Sequence, residues 1–194
     1  MAEEMAMFVD FENLRYGMLN NHGQEPDINA LVAKAKKYGR PSVMRAYADF
    51  SEHPQQMSRT LQIAGVEAIN VPTKRTIYKG KEGVVERIKN AADMVLALDA
   101  LVEALEADRE STSKVFLLVT GDRDYVKLVT LLRNRFGQKV IIAGVPGTVA
   151  GDLVMAADGQ DAVEVPVGIS VDKVELKKKL VTMTKGGPPA LVSF

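Results

Sequence analysis

Apolar residues fall along this chain in two periods. Ala6–Met7–Phe8–Val9 is a short unbroken apolar run closing on Asp10, the form of a strand buried on both faces. Val43–Tyr47, Val66–Val71, Val115–Val119 and Val140–Ala143 repeat it, and Ala162–Val165 reads as a last short strand. Between them the period lengthens. Asp27 caps a helix over Asp27–Tyr38, with Ile28, Leu31, Val32 and Ala35 on one face and Gly39–Arg40–Pro41 as the stop. Further helices are expected over Pro54–Ala64, about Val84–Ala107, Tyr125–Arg135 and Thr148–Ala157. The long one carries a stripe of Ile88, Ala91, Val95, Leu98, Val102 and Leu105. Thr73–Gly83 fits neither period and reads as a basic loop or flap. Alternation of this kind predicts right-handed crossovers and an α/β fold of three layers, α/β/α, around a mainly parallel sheet of five to six strands. The pattern fails beyond Pro166, so residues 1–166 are expected to form one domain and 167–194 an extension.

Composition narrows the chemistry. Lys plus Arg (25) equals Asp plus Glu (25), so any nucleic-acid surface must be local. There are no cysteines, which removes disulfides, thiolate nucleophiles and cysteine zinc sites and suits a reducing cytoplasm. The first residues carry Glu3 and Glu4 and no basic segment, unlike a signal peptide. No apolar run approaches the ~20 residues of a membrane helix.

Ligands of doubly wound sheets bind outside the carboxyl ends of the strands. Asp10 and Glu12 follow the first strand, Asp49 the second, and Asp122 and Asp124 the fourth. Asp93 lies in the long helical stretch, in a row with Glu86 and Asn90, whereas Asp99 points elsewhere. Carboxylates without His or Cys suit an oxygen-loving ion, Mg²⁺ or Mn²⁺, able to activate water against a phosphodiester. Each aspartate also has a plain alternative, to cap the turn or helix that follows it.

The residues in order resemble the NYN domain family (LabA-like). Phe8–Val9–Asp10–Phe11–Glu12–Asn13–Leu14 is similar to its opening motif, Ala46–Tyr47–Ala48–Asp49–Phe50 to its second-strand end, and Ala91–Ala92–Asp93–Met94 with Ala97–Leu98–Asp99 to its central helix. Leu118–Val119–Thr120–Gly121–Asp122–Arg123–Asp124–Tyr125–Val126 resembles its Ser/Thr-Gly-Asp-x-Asp-Phe stretch. The likeness covers roughly residues 5–165. It implies a PIN-like, Rossmann-like fold and a Mg²⁺- or Mn²⁺-dependent ribonuclease site. Asp10, Asp93, Asp122 and Asp124 would hold the ion or its waters, and Asn13 would orient the first loop and meet substrate. The family's Lys-Gly-x-Asp approach is replaced by Asn90–Ala91–Ala92–Asp93, with Lys89 one position early.

Lys79, Lys81, Lys89 and Arg123, with Lys74, Arg75, Arg87 and Lys127, would line a phosphate path for nucleic acid, RNA by the resemblance, and Tyr78 would stack a base. Gly144–Val145–Pro146–Gly147–Thr148 lacks the Lys-Ser/Thr of a P-loop and reads as a strand-to-helix turn. Two other readings compete. A haloacid-dehalogenase-like phosphatase implies Asp at position 12 and at 126, where this chain has Glu12 and Val126. A silent NYN fold would bind RNA or a protein partner instead, with the apolar and basic stretch from Val171 to Phe194 serving that partner or the mate of a homodimer.

Overall fold

The computed structural model describes residues 3–80, 83–89 and 91–165. Six parallel strands form one sheet: β1 (Glu4–Asp10), β2 (Arg40–Ala48), β3 (Glu67–Asn70), β6 (Lys114–Val119), β7 (Lys139–Gly144) and β8 (Gly159–Ala162). Their order is β3-β2-β1-β6-β7-β8, so the chain winds outward one way from β1 and the other way from β6. A separate antiparallel pair, β4 (Lys74–Gly80) and β5 (Gly83–Lys89), stands between β3 and β6 in the chain.

Side chains along β1 alternate between two cores, as a pleat demands. Met5, Met7 and Val9 pack with α1 (Phe11–His22), α2 (Ile28–Ala35) and α3 (Gln56–Ile63). Ala6 and Phe8 pack on the opposite face with α4 (Ala92–Arg109), α5 (Val126–Asn134) and α6 (Gly151–Ala156). This is the expected three-layer α/β/α architecture. Phe8 stacks on Phe116 of the neighbouring strand at 6.0 Å and 9°. Residues 114–119 of β6 are all buried, which is why Val115–Val119 is apolar without alternation.

Four local expectations are corrected. Residues 11–22, where the apolar pattern predicts no helix, form α1, capped by the Asp10 side chain and closed by Gly23 at φ 67°. The helix expected over Val84–Ala107 begins only at Ala92, because Gly83–Lys89 pairs as β5 with the supposed flap. Glu86 therefore lies on a strand and shares no helical row with Asp93. The α4 stripe is rotated as well. Ala92, Leu96, Ala100, Ala104 and Ala107 face the sheet, while Leu98, Val102 and Leu105 are about half exposed. Small side chains bring α4 close to β1, and a buried pair, Lys114 Nζ to Glu103 at 2.6 Å, pins the helix to the start of β6. The last strand is Gly159–Ala162 rather than Ala162–Val165.

Candidate metal centre

The sheet's winding reverses between β1 and β6, and the crevice outside their carboxyl ends is where such sheets take ligands. Asp10 is the last residue of β1, and Asp122 comes three residues after β6. Asp93 reaches the same place from the first turn of α4. All three line one cavity of about 400 Å³, and Glu12 joins them from α1. Asp124 lies to the side, in an adjoining groove of about 290 Å³ that Asp93, Met94, Leu101 and Lys127 share.

Each inner carboxylate accepts at least one hydrogen bond. Asp10 Oδ1 accepts the Asn13 N–H at 3.0 Å, capping α1, and its Oδ2 accepts the Thr120 hydroxyl at 3.2 Å. Asp122 Oδ1 accepts the Asp124 N–H at 2.9 Å and opens a 3-10 turn over Arg123–Tyr125. Tyr125, buried in that turn, donates its hydroxyl to Asp93 Oδ1 at 3.1 Å. Asp10 and Asp122 therefore cap turns and face the cavity at once, so the two readings of these aspartates are compatible. Asn13 ties the two strand ends together, since its Oδ1 accepts the Gly121 N–H at 2.9 Å. Gly121 is required there: a Cβ would lie 2.8 Å from the Thr148 carbonyl oxygen.

Burial pushes the Asp10 carboxyl up to about 7, and the charges of Asp93 and Glu12 add to it, against the Asn13 and Thr120 hydrogen bonds. Burial first, then the charges of Asp10 and Asp93, raises Tyr125 far above the ordinary phenol range, so it stays a donor. Asp49 belongs elsewhere. It accepts from the Ser51 hydroxyl and N–H and from the Thr73 N–H, and these bonds hold it down to about 2. It fixes the exit of β2 toward β4. Asp99, as expected, points away, accepting from the Tyr47 hydroxyl at 2.8 Å.

Of the other predicted residues, Arg123 is exposed and paired with Asp152 at 2.8 Å. Lys81 lies outside the described residues, and for Lys79 and Lys89 only the backbone of β4 and β5 is described. Glu12, Tyr16, Asn20 and Thr148 also line the cavity, and Thr120 and Tyr125 support it. Had residues 11–22 been read as a helix, the spacing of Asn13, Tyr16, Gly17 and Asn20 would have marked them. Among the described residues, no group of three His, Cys, Asp or Glu is close enough to form a ready-made metal cluster. No helix among the described residues is long and apolar enough to cross a membrane.

Comparison with known proteins bears on this geometry. The crystal structure of a protein of unknown function from Vibrio parahaemolyticus is similar, with a TM-score of 0.68 and 26% identity, over 84% of this chain and 94% of that one. No curated protein matches. The NYN domain profile matches residues 4–163. NYN domains sit within the PIN-like nuclease superfamily, whose nucleases typically use divalent metals. Since that match spans well over half of its length, the chain belongs to the NYN domain family.

Proposed function

We propose that this protein is a metal-dependent ribonuclease whose Asp10, Asp93 and Asp122 hold Mg²⁺ or Mn²⁺, with Asp124 at the outer edge. The observation that carries the reading is the convergence of these three carboxylates and Glu12 in one cavity at the sheet's reversal point. The donor set fits the ion. It is all oxygen, and Asp10 is desolvated among like charges, a situation that a cation relieves. A ready-made cage is not required, because Mg²⁺ keeps several waters and takes only one or two carboxylates besides substrate phosphate.

When bound, such an ion supplies an activated water and charge stabilisation for phosphodiester hydrolysis. The chain's own groups do the positioning. Thr120 and the Asn13 N–H orient Asp10, Tyr125 orients Asp93, and Asn13 locks the Thr120–Gly121–Asp122 loop against α1. Asn13 also faces substrate, and Arg123 can leave Asp152 for a phosphate, since a surface pair of this kind is weak. Lys79, Lys81 and Lys89 are proposed as further phosphate contacts.

A second reading is a silent NYN fold that binds RNA or protein without cutting. It is favoured by the absence, among the described residues, of a ready three-ligand cluster. The separating experiment is cleavage of a labelled single-stranded RNA in EDTA, Mg²⁺ or Mn²⁺, beside Asp10→Asn and Asp122→Asn. Metal-dependent cleavage lost in both folded variants supports the nuclease. Metal binding that raises the melting temperature with no cleavage supports the silent fold.

A further inference from the structure

The carboxylate cavity continues along one face of α1, where Asn13, Tyr16, Gly17 and Asn20 recur at i, i+3, i+4 and i+7. Seven residues of helix carry this face about 10 Å from the acidic end. Its character changes along the way. The acidic end bears carboxylates, whereas the α1 face offers two amides, a phenol and a glycine, and no Lys or Arg is among the residues lining the cavity. A phosphate grip would need cationic or densely packed donor groups. Neutral amides and an aromatic ring match the edges and the plane of a nucleobase.

Tyr16 is 44% exposed, and two groups held by other contacts lie against it. The buried His53 ring lies 5.8 Å from it, and the Arg15 guanidinium carbon 5.9 Å from its centroid. Arg15 is in turn clamped by Glu25 at 2.6 and 2.8 Å and by His53 Nδ1 at 3.2 Å. A base stacking on Tyr16 would therefore meet a ring already ordered, which lowers the entropy cost of binding. Asn21 is engaged, donating to the Gly17 carbonyl at 2.9 Å, and the Asn13 Oδ1 is taken by the Gly121 N–H while, among the described residues, its NH2 is not. The exposed Asn20 side chain has no hydrogen bond among the described residues.

We infer that this face of α1 is a nucleobase subsite beside the scissile phosphate, in which Tyr16 stacks an unpaired base and Asn20 bonds its edge. The inference rests on the nuclease reading for the phosphate next to it. A paired base hides its plane within the stack, so the subsite selects single-stranded or locally unpaired nucleic acid.

The test is fluorescence anisotropy of a labelled single-stranded oligoribonucleotide in EDTA, with the same strand annealed to its complement as the second probe. Tyr16→Ala is expected to weaken single-strand binding roughly 5- to 150-fold, Tyr16→Phe to retain it, and duplex binding to change in neither. An abasic position that costs the wild type affinity should cost Tyr16→Ala nothing further. Asn20→Ala should lose preference among bases. Equal binding by wild type and Tyr16→Ala, a loss shared by the duplex, or no single-strand binding by the wild type would overturn the subsite. Metal-dependent cleavage and its loss in Asp10→Asn, measured separately, would still decide the nuclease reading.

Discussion

The Tyr125 hydroxyl donates to Asp93 Oδ1 at 3.1 Å and so joins the turn after β6 to the first turn of α4. The donor is buried at 3% exposure and the acceptor is exposed, so the bond serves to aim the carboxylate. Tyr125→Phe keeps the buried ring and removes only the hydroxyl. Folding should lose about 1 kcal/mol, the net worth of an ordinary hydrogen bond. Mn²⁺ affinity should fall roughly 10- to 100-fold, as when a ligand loses its outer partner. Calorimetric titration beside urea unfolding separates the two effects. Unchanged Mn²⁺ affinity would mean that Tyr125 does not position a ligand.

Asp10 predicts an unusual dependence of stability on pH. Its folded value, about 7, lies above the ordinary 3.8, so the folded state holds the extra proton between these limits. That contribution is complete below about 4 and is lost as the pH rises through 7, a shift worth about 4 kcal/mol at most. In EDTA the melting temperature should therefore fall between pH 5 and 8. Asp10→Asn should flatten the slope and raise stability at pH 8, and excess Mg²⁺ should flatten it by favouring the ionised form. Asp49 runs the other way at lower pH. Held at about 2, it stabilises above its ordinary 3.8 and loses that effect as the pH falls toward 2.

Asn13 links the two strand ends, so its removal should disturb both fold and site. Asn13→Ala leaves the buried Gly121 N–H without an acceptor, at a cost of about 1–3 kcal/mol. Asn13→Asp restores the acceptor but adds a fifth carboxylate to the cavity. Urea midpoints should show the Asp variant recovering most of the stability that the Ala variant loses. Its metal titration should differ from wild type, whereas identical titrations would place residue 13 outside the ion's field.

The central sheet was legible because β1 and β6 lie at its middle, buried on both faces, where only apolar residues serve. The acids at their ends were legible for the same reason, since Asp10 breaks such a run at its last residue and Asp122 follows one. The outer parts carry weaker signals. β8 is an edge strand reading Gly-Gln-Asp-Ala, with only Ala162 apolar. α1 contains Gly17, Asn20 and Asn21, poor helix formers that hide its period, and with it the Tyr16 face. In β5, Val84, Val85 and Ile88 continue by chance in phase with the helix after Ala92, while Gly80 and Gly83 mark the hairpin. Asp124 shows the limit of a motif: two residues from Asp122, it faces a different groove.

The rotation of α4 yields a prediction that separates sequence pattern from packing. The strongest apolar spacing in this helix includes Leu98 and Val102, yet these are 56% and 52% exposed, while Ala104 is fully buried against the sheet. Leu98→Gln and Val102→Gln should each change unfolding free energy by no more than about 0.5 kcal/mol, as at other surface positions. Ala104→Leu adds volume to a face that packs closely on β1, and it should cost about 1–3 kcal/mol through overpacking. Urea denaturation of the three variants tests the orientation directly. If Leu98→Gln cost 2 kcal/mol or more and Ala104→Leu almost nothing, α4 would be turned about its axis. Asp93 would then be carried away from Tyr125, and the carboxylate arrangement would fail with it.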